Sequence, residues 1–192
     1  METYQAYLQS TDVINWRNPA VFKLARSLAV GTPLETAKRC FEWVRDEIKH
    51  SMDFRLNPVT CSASEVLEAG TGFCYAKSHL LAAMLRANQI PAGLCYQRLR
   101  QDDEGNIYCL HGLNAVYVPR LGWYRVDARG NKSGVNAQFV PPVEQLAFSL
   151  NAPGEANFPT IYTDPLPEIV SALRTYPTYN QLANNLPDRQ PE

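Results

Sequence analysis

Apolar residues in the first half of the chain recur at steps of three and four, and beyond residue 91 they shift toward alternation. Asn18-Pro19 supplies an N-cap followed by proline at the first helical position, and Val21, Leu24, Ala25 and Leu28 then repeat at helical spacing before Gly31. Thr32-Pro33-Leu34-Glu35 reads as a capping box, with Leu34, Ala37, Phe41, Val44 and Ile48 as the apolar stripe of a second helix. Ser62 with Glu65 opens a short helix that Gly70 stops. The run from Cys74 through Asn88 predicts a further helix, striped by Leu80, Leu81, Met84 and Leu85 and ended by Asn88 and Pro91. AGLCYQRLR, HGLNAVYVP and GWYRVDA then read as strands, separated by DDEGN and by Pro119-Arg120-Leu121-Gly122, which predicts an antiparallel sheet of hairpins.

Nine of the fourteen prolines lie between Pro141 and Pro191, so this last part is expected to be a mostly extended wrap with one short helix from Pro167 through Leu173. At 192 residues the chain has room for one core. The expected organisation is a catalytic domain over residues 1–140 and a proline-rich extension over 141–192 that wraps the same domain.

Hydrophobic residues at 45% and charged residues at 19% fit an ordinary globular protein. A net charge of -1 gives no electrostatic ground for nucleic acid or anionic membrane as a partner. No apolar run reaches the length of a membrane span, and the start METYQAYLQSTD lacks the marks of a leader, so the expectation is a cytoplasmic chain whose mature form begins at Met1. Five cysteines without a C-x-x-C, and three histidines without metal-ligand spacing, read as free thiols with neither metal nor cofactor. The acidic run Asp102, Asp103, Glu104 reads as a solvated hairpin tip, because it lacks the spread of oxygen ligands that calcium takes.

Three residues carry candidate chemistry. Cys74 opens a helix, where the macrodipole and unpaired backbone N–H groups favour a negative sulfur and where its own N–H can serve an oxyanion. His111 opens one strand and Asp127 ends the next, sixteen residues on. A tight turn centred between Arg120 and Leu121 sets Asp127 opposite Asn114, so the reading expects a bulge or longer loop that shifts the register until histidine and aspartate meet. A Cys-His-Asp set in that order of contact is the arrangement of nucleophile, base and orienting group. His79, five residues after Cys74, reads as structural or groove-lining. Tyr75 and Trp123 read as core or wall, and Cys40, Cys61, Cys95 and Cys109 as inert thiols, Cys109 lying nearest to His111 in the chain.

GTGFCYAKSHLLAAMLRANQIPAG and HGLNAVYVPRLGWYRVDARG resemble the two halves of the transglutaminase-like core, and ARSLAVGTPLETAKRCFEWVRDEIKHSMDF is similar to the helical region before it. The likeness covers roughly residues 15–130. It implies a papain-like α+β fold and acyl transfer through a thioester, with Cys74, His111 and Asp127 in the matching places. Leu113 stands where the family often has an aromatic, and Ala128 where it often has proline. The second oxyanion donor is left to His50 or to the stretch Asn57 to Thr60. The expected substrate is a peptide or amide and the expected outcome hydrolysis, with transamidation of protein glutamine as the alternative and a catalytically idle peptide-binding module as the alternative of another class. An arylamine acetyltransferase with a coenzyme A donor would share the triad, but no phosphate-binding glycine loop or basic cluster supports it.

Overall fold

The structure, a computed structural model, describes residues 4–101 and 107–191, so the acidic run at 102–104 lies outside the described residues. Helix α1 spans Pro19–Ser27, its first N–H groups received by the Asn18 side chain. Helix α2, Pro33–Glu47, starts on the Thr32/Glu35 capping box. A two-residue strand β1, Lys49–His50, and one helical turn α3, Ser51–Phe54, follow. Helix α4, Ala63–Ala69, opens on the Ser62/Glu65 box and closes at Gly70, whose φ of 65° is the left-handed conformation that glycine adopts without strain. Strand β2, Thr71–Gly72, pairs in parallel with β1 and brings His50 opposite Gly72.

Helix α5, Cys74–Ala87, departs from the expected single stripe: every one of its side chains is buried. Helices α1, α2 and α4 pack around it and the sheet closes its remaining side. Its polar side chains are tolerated because each is spent on backbone carbonyls. Lys77 donates to Arg45 O and Ile48 O, His79 Nδ1 pairs with Cys61 O, and Arg86 holds Gln9, Ala92 and Thr163 through their carbonyls. The apolar stripe does not register these burials, because the acceptors come from distant segments.

Strands β3, Ala92–Arg100, β4, Tyr108–Val118, and β5, Gly122–Val126, form the antiparallel meander. After them come a small hairpin, β6 Gln138–Val140 and β7 Val143–Gln145, and a two-residue strand β8, Ala156–Asn157, on the outer edge of β3. The main sheet runs β5-β4-β3-β8. Helices α6, Pro167–Thr175, and α7, Tyr179–Ala183, complete the chain. The wrap is therefore less extended than its prolines imply. Strands of two or three residues are too short to show alternation, while α7 does carry a signal in Thr178, which accepts from Gln181 N in the manner of a capping box.

Alternation along β4 divides the sheet's two faces. Leu110, Val116 and Val118 belong to the main core with α5, whereas Cys95, Leu113 and Ala115 form a second cluster beneath Trp123, Leu146 and Ile161. The C-terminal third thus covers the face that α5 leaves open.

Candidate active site

The order β2, residue 73, α5 brings the chain out of a parallel pair and straight into a helix whose first residue is Cys74. Phe73 occupies the N-cap and offers no side-chain acceptor, unlike Asn18, Thr32 and Ser62 at the other helix starts. The N–H groups of the first turn are consequently left for partners outside the helix. Cys74 N–H donates to His50 Nε2 at 3.2 Å, and Gly112 N–H on β4 donates to Cys74 Sγ at 3.5 Å. Gly112 has to be glycine here, because a Cβ would lie 2.9 Å from Tyr75 Cδ1 and 3.0 Å from Tyr75 Cα. Tyr75 is buried and donates its hydroxyl to Leu110 O, a wall role as expected.

His111 and Asp127 meet through a register shift of one residue, set by the three-residue loop 119–121 between Val118 and Gly122. β4 and β5 pair Asn114 with Val126 and Val118 with Gly122, so Asp127 comes next to Leu113 and stands one diagonal step from His111 on the same face. A diagonal pair is within reach of a long side chain, and Asp127 Oδ2 accepts from His111 Nε2 at 2.7 Å. Of the two expected devices the longer loop is the one used, and its one-residue shift suffices because a diagonal contact replaces direct opposition. Strand β4 also begins at Tyr108, three residues before the predicted start, so His111 is an interior strand residue.

Asp127 is fully buried and its charge is met by backbone donors, Arg129 N–H on Oδ1 and Ala147 N–H on Oδ2, each at 3.1 Å. Burial alone would raise its pKa, but His111 and these N–H groups outweigh it and hold the carboxyl below its ordinary value. Burial would likewise lower the His111 pKa. The Asp127 charge and the Cys74 sulfur overcome it, taking the imidazole up to about 10 and favouring imidazolium. With Nε2 committed to Asp127, Nδ1 is the nitrogen left to face Cys74.

His50 behaves in the opposite sense. Burial, then the positive charge of Arg129, push its pKa well below the ordinary value and keep it neutral. Because its Nε2 accepts from Cys74 N–H, the proton rests on Nδ1, 3.9 Å from Asp53 Oδ2 and without a hydrogen-bond partner. Of the two candidates for the oxyanion region, His50 is at the nucleophile's backbone. The other stretch is engaged elsewhere: Asn57 accepts from Tyr179 N–H, and Thr60 donates to Thr71 O.

A cavity of about 320 Å³ opens over these groups, with Cys74, His111, His50, Tyr75, Cys109 and Arg129 in its lining. Its other walls include Leu99, Leu110, Phe148 and Leu186, two of which come from the C-terminal third. The edge of the Phe148 ring stands at 90° to His111 with centroids 5.0 Å apart. Arg129 is ion-paired to Asp53 through both oxygens, at 2.6 and 3.0 Å. Neither Phe148 nor Arg129 carries a sequence signal, since each reaches the cavity through long-range packing. Leu113 does not line it, so the residue standing where an aromatic is usual belongs to the second cluster and bears on packing. His79 is wholly buried on Cys61 O, a structural residue held near pKa 4 by burial. Burial likewise pushes the thiols of Cys40, Cys95 and Cys109 up to about 12 and that of Cys61 to about 11. Among the described residues no His, Cys, Asp and Glu cluster could hold a metal ion, and no helix is long and apolar enough to cross a membrane.

Similar folds occur in a candidate cysteine protease from Cytophaga hutchinsonii, 17% identical with TM-score 0.54 over 67% of this chain and 43% of that one, and in the periplasmic domain of TgpA from Pseudomonas aeruginosa, 23% identical with TM-score 0.50 over 66% and 46%. The chain spans less than half the length of either. No curated protein matches. The sequence model of the transglutaminase-like superfamily matches residues 23–128, a stretch that runs from α1 through the helix of Cys74 and the hairpin of His111 and Asp127. An α+β core in which the helix that starts at Cys74 packs on an antiparallel sheet, matched over more than half the chain, makes this chain a member of the transglutaminase-like superfamily.

Proposed function

We propose that the protein is a cysteine-dependent acyl-transfer enzyme that hydrolyses peptide or amide bonds, with Cys74 as nucleophile, His111 as its acid and base, and Asp127 as the orienting group. The observation that carries this reading is the His111 ring, bonded to the Asp127 carboxylate, at the wall of the same cavity as the Cys74 sulfur. In the first step the sulfur attacks the carbonyl carbon, forming a C–S bond while His111 delivers its proton to the departing amine. Water then attacks the thioester as His111 takes its proton, and the C–S bond breaks to release the acid and the thiol. Asp127 fixes the imidazole orientation throughout and stabilises the imidazolium. The Cys74 N–H faces the developing oxyanion once His50 yields it.

Transamidation is the second reading, and the Phe148 ring against His111 favours it, because an apolar wall beside the thioester hinders water while an amine competes. A library of peptides and small amides incubated with wild type and Cys74→Ala, read by mass spectrometry with and without excess primary amine, tests both. Free acid formed by wild type alone supports the hydrolase. A dominant amide adduct at millimolar amine shows transfer, and a Cys74→Ala protein with unchanged turnover removes the cysteine mechanism.

A further inference from the structure

Strand β5 pairs with β4 only from Asn114 onward, so the part of β4 that carries His111 has no strand on that side and its Leu110 N–H is left for another partner. The chain's own C-terminal segment lies along it. Leu110 N–H donates to Pro187 O at 2.8 Å, the Leu186 side chain lines the cavity with Cys74 and His111, and Asp188 forks onto Arg98, Nε to Oδ1 and Nη2 to Oδ2 each 2.7 Å. Arg98 is the partner of Leu110 across β3 and β4, so three successive residues of the segment are read by one spot on the sheet.

A main-chain donor on a strand edge, an apolar pocket and a guanidinium fork are the elements by which proteins bind extended peptides with side-chain selectivity. The segment is nevertheless held lightly. Leu186 is only half-buried, Asp188 is exposed, and the main-chain link to β4 is the hydrogen bond from Leu110 N–H to Pro187 O. Its occupancy owes more to attachment, since a tethered segment has an effective concentration on the order of millimolar. A peptide arriving from solution therefore meets a competitor that is weak but always present.

We propose that the β4 edge at Leu110, the pocket of Leu186 and the Arg98 guanidinium form a recognition site for an extended peptide that sets an apolar side chain beside Cys74 and a carboxylate two residues further on. Residues 185–189 occupy this site as an intramolecular stand-in. The proposal deepens the acyl-transfer reading of the same cleft, but binding and thiol access test it without turnover, so the two readings fail separately.

The test uses the full chain with Leu186→Ser and Asp188→Ser together, which releases the segment, and a fluorescein-labelled peptide of residues 183–191, ANNLPDRQP, followed by anisotropy. The released protein should bind the peptide about tenfold more tightly than wild type, and a bulky maleimide should alkylate its Cys74 about tenfold faster. Adding Arg98→Gln should cancel the gain in binding. Equal peptide affinity in wild type and the released protein overturns the proposal. So does a released protein that no longer melts cooperatively, because the segment would then be part of the fold and no stand-in. Unchanged binding on adding Arg98→Gln overturns the selection of a carboxylate.

Discussion

Residues 70–128 and residues 141–191 both line the cleft, and they do so by different means. In the first region the reactive groups are fixed by backbone geometry: Cys74 by a helix start, His111 by the middle of a strand, Asp127 by the end of the next. The second region contributes no group that gains or loses a proton in the proposed reaction. It supplies the Ala147 N–H that steadies Asp127, the Phe148 ring against His111 and the Leu186 wall. Chemistry built on paired backbone tolerates little movement, whereas a covering made of packed side chains can change without dismantling the reaction. Substitutions in the two regions should therefore separate in kind.

The largest effect is expected from Asp127→Asn, which should lower turnover about a thousandfold or more by leaving the imidazole without its anionic partner. Both carboxylate oxygens accept N–H groups, so an amide NH2 would face a donor in either orientation, at about 1–3 kcal/mol of stability. A melting curve and a progress curve on one substrate check this. Near wild-type turnover would move the orienting role to another residue.

Gly112→Ala comes next. Its Cβ would press on the backbone of Tyr75 and push the start of α5 from the strand, costing about 1–3 kcal/mol and roughly ten- to a hundredfold in kcat, since small misplacements of reacting groups are expensive. An alanine protein with both melting temperature and kcat unchanged would mean that the helix start is free to adjust.

Phe148→Ala, in the covering region, should lower kcat/KM only about tenfold, which corresponds to about 1.4 kcal/mol of barrier. In the presence of amine it should raise the share of hydrolysed product, because the apolar wall beside the thioester is gone. A product ratio that stays the same would deny Phe148 any part in excluding water.

His79→Asn should have the smallest effect on turnover, within about twofold, because the side chain faces away from the cavity. Its consequence is on pH. His79 has a folded pKa near 4, below its unfolded value, so the neutral histidine contributes stability that is complete above pH 6.5 and is lost as pH falls toward 4. Asparagine can keep the donor to Cys61 O without titrating, and the drop in melting temperature between pH 7 and pH 4.5 should be shallower than in wild type. An equally steep drop would assign the acid sensitivity to other groups, His50 first among them.

What the sequence made legible follows the same division. Asn18, Thr32 and Ser62 announced their helices because capping is a local bargain among four residues. Cys74, His111 and Asp127 were legible as types at a spacing, and the structure gathers them at one wall. Their mode of meeting was not legible, because a diagonal contact leaves no trace in the register count. Phe148, Arg129 and Leu186 were invisible for a different reason: each arrives from a separate segment, and nothing in its neighbourhood along the chain marks the destination. The burial of Lys77 and Arg86 on α5 went unmarked for the same cause.

The bare start of α5 has a consequence in time. A helix that caps itself can form its first turn alone, but the first N–H of α5 waits for the His50 ring, which arrives only when Lys49 and His50 have paired with Thr71 and Gly72. Gly112 and His111 arrive later still in synthesis, thirty-seven and more residues downstream. In a nascent or partly unfolded chain the surroundings that the proposed reaction asks of Cys74 are therefore absent, and they assemble only with the completed fold.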